Sequence, residues 1–145
     1  MTELVYRKCT AEHIKLIVPQ YGMEAEKMLY LSPEYADVLT ENFALSAWAG
    51  VKCIAAAGIV HCNKHRAVGW TLIGRNAGPY MRQITKKVRN VLDGYAVARL
   101  EMTVRTDFHE GHRWAELLGF EMEAARMRKH GLNGEDETLY VRIKE

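Results

Sequence analysis

Residues 43–73 contain three apolar runs that follow one another with little polar interruption. FALSAWAG, VKCIAAAGIVHC and RAVGWTLIG are separated by Gly50 and by the polar tetrad at 63–66. Runs bounded by turn signals in this way predict strands. The alanines at 55–57 could favour a helix, but a run that is bounded by turn signals and ends in IVHC favours a strand. We therefore expect three consecutive antiparallel strands here.

The residues before these runs predict one short strand followed by helices. ELVYRKC alternates apolar and polar side chains as a strand does, and Thr10 offers an N-cap hydroxyl for a helix through AEHIKLIVPQ that ends near Pro19. A second helical region runs from Glu24. Because the SPE triplet at 32–34 is a helix start signal, two short helices are favoured over one long helix in that region.

The residues after these runs alternate between helix and strand signals. YMRQITKKVRNVLDG has helical spacing and a stop at Gly94, ARLEMTVR reads as a strand, and HEGHRWAELLGF is a short helix closed by Gly119. A final hairpin is expected around Asn133-Gly134, and the side chains of Leu139, Val141 and Ile143 are expected to face inward. The predicted order is β-α-α-β-β-β-α-β-α-β-β, an α/β (α+β) chain with one mixed, mostly antiparallel sheet and helices on both faces.

Composition narrows the class of protein. The 145 residues are 48% apolar and 26% charged, which predicts a single globular domain over 1–145 that is neither disordered nor fibrous. A net charge of +2 does not by itself argue for nucleic acid. The three cysteines lack the spacing of a zinc or redox site, so we expect buried free thiols at Cys9, Cys53 and Cys62. Because no signal peptide or membrane span is visible, the sequence predicts a cytoplasmic protein.

The stretch GRNAGPYM at 74–81 follows the last apolar run and precedes a basic helix. A helix N-terminus presents unpaired N–H groups and a positive dipole end, which suits an anion such as a pyrophosphate. The helix adds Arg82, Lys86 and Arg89 on one face, and Arg75 lies in the turn itself. The alternative is an ordinary strand-to-helix loop next to a solvated basic face.

The whole order resembles the Gcn5-related N-acetyltransferase (GNAT) superfamily. That family's phosphate turn, Arg/Gln-x-x-Gly-x-Gly/Ala, matches the segment from Arg75 to Tyr80, although Tyr80 stands where the family has a small residue. The opening LVYRKCTAEHIKLI resembles the family's first strand and helix, and Leu118-Gly119-Phe120 resembles its Leu-Gly-Phe corner. The departure at Tyr80 is similar to the turns of compact members encoded by bacteriophages.

The resemblance implies acetyl-coenzyme A as cosubstrate. The pantetheine arm would bond to the backbone of the fourth strand, including Leu72 and Ile73, and the pyrophosphate would lie on the turn. The implied turn residues are Arg75, Asn76, Ala77, Gly78, Pro79 and Tyr80. The implied reaction is transfer of the acetyl group to an amine of a protein or small molecule.

The sequence lacks one residue that the family often uses to move a proton. The family often has a tyrosine acid four residues before the Gly of its corner, and here that position is Ala115. Acidic and histidine side chains remain at Glu101, Asp107, His109 and His112. We take Asp107 and His109 as the catalytic candidates, because a histidine exchanges protons near neutral pH and an aspartate can orient it. Alternatively, both are polar residues at the start of a short helix.

Other function classes are weaker. The leading alternative to an enzyme is a non-catalytic protein of the same fold that binds a macromolecular partner. A nucleic-acid binder would use the face of Arg82, Lys86 and Arg89, but no aromatic stacking platform accompanies it. The histidine spacings do not suggest a metal site. The apolar first strands and the Met-rich segments could line either the interface of a homodimer or the core.

Overall fold

The computed structural model describes residues 2–145 and contains one seven-stranded sheet. The strands lie in the order β1-β2-β3-β4-β5-β7-β6. Their bounds are β1 Val5–Lys8, β2 Phe43–Ala49, β3 Lys52–His61, β4 Arg66–Ile73, β5 Arg99–Arg105, β6 Glu121–Met127 and β7 Glu137–Ile143. The three apolar runs thus form β2, β3 and β4, as predicted, and the alanines at 55–57 lie in β3.

Five helices accompany the strands. They are α1 Ala11–Leu16, α2 Glu24–Tyr30, α3 Pro33–Glu41, α4 Met81–Gly94 and α5 His109–Leu117, with a short 3-10 helix at Gly78–Tyr80. The Thr10 side chain caps α1 by accepting the N–H of His13. The region from Glu24 to Glu41 is split before Pro33, as the start signal indicates, so three helices separate β1 from β2, where the predicted order counted two.

The chain divides into two compact units. The first comprises the residues up to Val60 together with Gly69–Ile84. Its strands β1, β2 and β3 pair antiparallel in sequence order at β1-β2 and β2-β3. Its core contains ten buried residues: Cys9, Ile14, Ile17, Leu39, Ala44, Trp48, Cys53, Ala56, Trp70 and Leu72. The prediction of one domain concerns both units together and stays a prediction.

The second unit comprises His61–Val68 and Thr85–Glu145. The start of β4 pairs parallel with β5 over three residue pairs, from Arg66↔Arg99 to Val68↔Glu101. Strand β7 pairs antiparallel with both β5 and β6. After α5 the backbone turns at Gly119, whose φ of 87° is the left-handed conformation that the sequence predicts for the Leu-Gly-Phe corner.

Two predictions about burial are wrong. On β7 the deeply buried side chains are Thr138 and Tyr140, each 1% exposed, while Ile143 is 56% exposed. The buried face of β7 is therefore opposite to the predicted one. Val141, which was predicted to face inward, is nevertheless buried. Cys62 is exposed because it lies in the turn that follows β3, whereas Cys9 and Cys53 are buried free thiols, as predicted.

Among residues 2–145, no helix combines the length and the hydropathy that a membrane span requires.

Candidate functional site

The turn that follows β4 is fixed by backbone hydrogen bonds from both sides. The Gly74 N–H donates to the carbonyl of Ile54 on β3 at 2.7 Å. The Arg75 N–H donates to the carbonyl of Val18 at 2.7 Å, and the Gln20 N–H donates to the carbonyl of Ile73 at 2.8 Å. Glycine is required at position 74, since an added Cβ would lie 2.4 Å from the Ile54 carbonyl oxygen. These hydrogen bonds therefore anchor the turn to the rest of the first unit.

The N–H groups of the turn can be accounted for one by one. Ala77 donates to the Gly74 carbonyl at 3.1 Å, Tyr80 donates to the Ala77 carbonyl at 2.8 Å, and Pro79 has no N–H. The N–H groups of Asn76 and Gly78 have no acceptor within residues 2–145. Of the six predicted phosphate-binding residues, two therefore present backbone donors that the protein does not use itself.

The space beside these donors is open. Gly78 is exposed, and an added Cβ there would meet no atom within 4 Å. The segment between Cys62 and Leu92 carries seven Lys and Arg residues and no Asp or Glu. Arg75 and Arg82 are exposed and form no ion pair within the described residues. Two free donors, open space and local positive charge are what a pyrophosphate requires, so the turn fits that group.

The part of β4 predicted to hold the pantetheine arm is buried. Leu72 is fully buried and Ile73 is 6% exposed, so only their backbone atoms are suited to bind a ligand. The Ile73 carbonyl already accepts the Gln20 N–H, which leaves that oxygen one further lone pair. Sequence reasoning missed this contact because Gln20 lies 53 positions away from Ile73 and carries no motif.

The predicted catalytic pair lies at the surface of the second unit. The Asp107 side chain is 88% exposed, and its Oδ1 lies 3.8 Å from Nε of Arg105. His109 is exposed and is the first residue of α5. Phe108 holds the N-cap position without a side-chain cap, so neither candidate caps the helix. Within the described residues no hydrogen bond joins Asp107 to His109.

Glu101 is unsuited to act as a base. Its carboxylate accepts two hydrogen bonds from the Arg66 guanidinium, at 2.6 and 2.9 Å, and one from Arg99 at 2.7 Å. The hydrogen bond from Arg66 is the largest effect on the Glu101 pKa, which is lowered from 4.5 to about 2. A carboxylate with so low a pKa takes up protons poorly at neutral pH.

His112 is engaged at both ring nitrogens. Its Nε2 lies 2.9 Å from the Thr106 carbonyl oxygen, so it must carry the proton, and its Nδ1 lies 2.7 Å from the Tyr140 hydroxyl. The Tyr140 O–H then donates to Nδ1. Burial raises the pKa of Tyr140, which keeps this hydroxyl protonated. The hydrogen-bonding groups of the His112 and Tyr140 side chains are thus paired within the protein. Sequence reasoning missed Tyr140 because it assigned that side chain to the outward face of β7.

No metal site is formed by the side chains of residues 2–145, where no three His, Cys, Asp or Glu residues are grouped suitably.

Comparisons with known proteins identify the fold. No protein-family model matches the sequence, and no curated protein matches it. Among solved structures, the chain is similar to an N-acetyltransferase from Staphylococcus aureus Mu50, with 12% identity, a TM-score of 0.73 and 98% of each chain covered. It is also similar to an acetyltransferase of the GNAT family from Streptococcus pneumoniae, with 14% identity, a TM-score of 0.65, and 98% and 100% of the two chains covered.

A third similar structure contains the cosubstrate. The microcin C7 self-immunity acetyltransferase MccE, solved in complex with acetyl-CoA and AMP, has 14% identity and a TM-score of 0.65, with 98% of this chain and 93% of that chain covered. At these identities the likeness shows the fold. The chain has the mixed, mostly antiparallel seven-stranded GNAT-like fold that the sequence predicts.

Proposed function

We propose that this protein is an N-acetyltransferase that moves an acetyl group from acetyl-CoA to an amine of a protein or small molecule. The observation that carries the proposal is the pair of unused N–H donors at Asn76 and Gly78, in the turn that follows β4 of a GNAT-like fold. The acetyltransferases among the similar structures support the class of reaction.

The residues of the turn would hold the pyrophosphate. The Asn76 and Gly78 N–H groups donate to its oxygens, and Arg75 and Arg82 lower the cost of placing negative charge there. The β4 backbone at Leu72 and Ile73 binds the pantetheine arm. Bound acetyl-CoA supplies a thioester, an activated acyl group that an amine can attack. The protein's task is then to orient the cosubstrate and to move one proton away from the amine.

Asp107 and His109 are our candidates for accepting that proton from the amine. Both side chains are exposed, and neither is locked into a strong internal hydrogen bond, in contrast to Glu101 and His112. A proton acceptor must be free to exchange its proton, which favours the exposed pair. Asp107→Asn and His109→Gln should each lower kcat while leaving the affinity for acetyl-CoA unchanged.

The test of the cosubstrate site is a thermal titration. Acetyl-CoA that binds only the folded protein should raise Tm by about 5 °C or more at 100 times Kd. Gly78→Asp places a carboxylate beside the two donors and should remove that rise. Gly94→Asp is the matched control, because Gly94 also has open space around its Cα and lies at the other end of α4.

A flat response of the wild-type protein at millimolar acetyl-CoA would contradict the proposal. It would instead favour the alternative predicted from the sequence, a non-catalytic protein of this fold that binds a macromolecular partner. A cytoplasmic location, a bacteriophage origin and a homodimer likewise remain predictions from the sequence.

A further inference from the structure

The three tryptophans differ in how their indole N–H groups are satisfied. The Trp48 N–H donates to the Ser46 hydroxyl at 2.9 Å, and the Trp114 N–H donates to the Thr85 hydroxyl at 2.8 Å. Trp70 is 7% exposed, and its Nε1 has no acceptor within residues 2–145. A buried donor left unmatched costs about 1–3 kcal/mol, and such groups are rare in native proteins. Trp70 is therefore an exception that needs a physical reason.

The surroundings of the Trp70 indole are closely fitted. The ring lies against Gly58 of β3, where an added Cβ would be 2.5 Å from Nε1. The Tyr30 ring of α2 packs on it, with centroids 5.2 Å apart and planes tilted by 60°. Partly buried side chains of Met23, Leu31 and Val60 pack against the core cluster to which Trp70 belongs. The Phe43 carbonyl oxygen would lie 2.6 Å from the same added Cβ, but Nε1 forms no hydrogen bond within residues 2–145.

The helix that covers Trp70 is weakly built. α2 has seven residues, none of them buried, and its N-cap residue makes no side-chain cap. It is held to the end of α1 through Lys27, whose ammonium donates to the carbonyls of Lys15 and Ile17. Short helices that bury little have low local stability. An opening of α2 that releases these two hydrogen bonds of Lys27 would expose Trp70 to a ligand.

Trp70 is also well placed along the chain. It lies on β4 two residues before Leu72, so the two side chains point to the same face of the sheet. β4 leads directly into the turn at 74–80 that contains the unused donors. Trp70, α2 and this turn all belong to the first compact unit.

We propose that the Trp70 indole N–H is a substrate-binding donor that hydrogen-bonds a carbonyl oxygen of the acyl acceptor. This inference rests on the proposed acetyltransferase function. An amide carbonyl suits the place best, since it is only an acceptor, whereas a hydroxyl would bury its own unmatched proton and a carboxylate would bury a charge. The acceptor class is then an amine next to a carbonyl group, as in an amino-acid amide or a chain N-terminus.

Nuclear magnetic resonance of the indole N–H groups tests the contact directly. The ¹⁵N-labelled protein should give three indole signals, which the variants Trp48→Phe, Trp70→Phe and Trp114→Phe assign. With CoA in place of acetyl-CoA, L-phenylalanine amide should move the Trp70 signal downfield and leave the other two in place. 2-Phenylethylamine, which lacks only the carboxamide, should leave the Trp70 signal nearly unmoved.

Binding measurements provide the second readout. Trp70→Phe keeps a ring but removes the donor. It should therefore lower the affinity for L-phenylalanine amide by about tenfold and leave the affinity for 2-phenylethylamine unchanged. Trp114→Phe is the matched control, and it should bind both amines as the wild type does. Should Trp70→Phe fail to fold, the wild-type titration decides alone.

The outcomes separate this inference from the proposed function. If CoA raises Tm but the amide leaves the Trp70 signal unmoved, or if Trp70→Phe binds both amines normally, the inference is overturned and the cosubstrate site stands. Water magnetisation that reaches the Trp70 N–H and persists after addition of the amide would show a permanently bound water, which also overturns it. If CoA does not raise Tm, the proposed function fails first.

Discussion

The turn after β4 and the polar network around β5 treat their hydrogen-bonding groups in opposite ways. In the turn, the N–H groups of Asn76 and Gly78 are left without acceptors, next to open space. Around β5, Glu101 accepts from two arginines, and His112 is bonded at both ring nitrogens. Both regions are rich in polar groups, but only the turn presents groups that are available to a ligand.

This difference teaches how to rank candidate residues that a motif alone cannot rank. A polar group that is fully paired stabilises the fold, and using it for chemistry would first require breaking its bonds. A polar group without a protein partner can bind a ligand without that cost. By this criterion Glu101 and His112 are structural, while the turn and Trp70 are the groups that we propose for ligand binding.

The largest effect that would sharpen the comparison concerns two glycines of the same turn. Gly74→Ala should lower the free energy of unfolding by about 2–4 kcal/mol, because its Cβ would collide with the Ile54 carbonyl and break the bond that anchors the turn. Gly78→Ala should change it by less than about 1 kcal/mol, since its surroundings are open. Urea unfolding measures both. Equal costs would show that the turn is not anchored as described.

A smaller effect is expected from the network. Glu101→Gln should lower the free energy of unfolding at pH 7 by about 1–3 kcal/mol, because Arg66 loses its carboxylate partner. The Glu101 pKa is lowered from 4.5 to about 2, so its contribution is complete above pH 4.5 and is lost as the pH falls toward 2.

The measurement is urea unfolding of wild type and variant across that pH range, where the two curves should converge as the pH falls. Glu12→Gln is the control, since Glu12 forms only an exposed pair with Lys15 and should matter little. A difference between wild type and Glu101→Gln that stays constant from pH 7 to pH 2 would break the comparison.

Local sequence signals predicted the fold well where one residue decides the geometry. Gly119 adopts the left-handed conformation expected of it, Thr10 caps α1, and the bounded runs at 43–73 form strands. What failed depends on contacts between distant residues. On β7 the buried Tyr140 and the predicted inward residues Leu139 and Ile143 lie on opposite faces, and sequence alternation cannot choose between two faces that both carry apolar residues.

The position of the turn in the fold was predictable to the same degree. Sequence placed the turn between β4 and α4 correctly, but it treated six residues as equivalent phosphate ligands. Only the hydrogen bonds from Val18 and within the turn show that Arg75, Ala77 and Tyr80 have already used their N–H groups. Likewise, the sequence does not show that Ser46 and Thr85 supply acceptors for Trp48 and Trp114, while the Trp70 N–H has none within residues 2–145.

The smallest expected effect compares two arginines of α4. Arg82 is exposed and forms no ion pair within residues 2–145, whereas the Arg89 guanidinium donates to the Leu117 carbonyl at 2.6 Å. Arg82→Gln should weaken acetyl-CoA binding two- to fivefold (~0.5–1 kcal/mol) at low salt, and less at high salt, because an exposed charge near an anion is screened. Arg89→Gln should instead lower stability and leave the affinity unchanged. Titration calorimetry at two salt concentrations decides, since the same loss of affinity in both variants would mean that the basic face acts only through its overall charge.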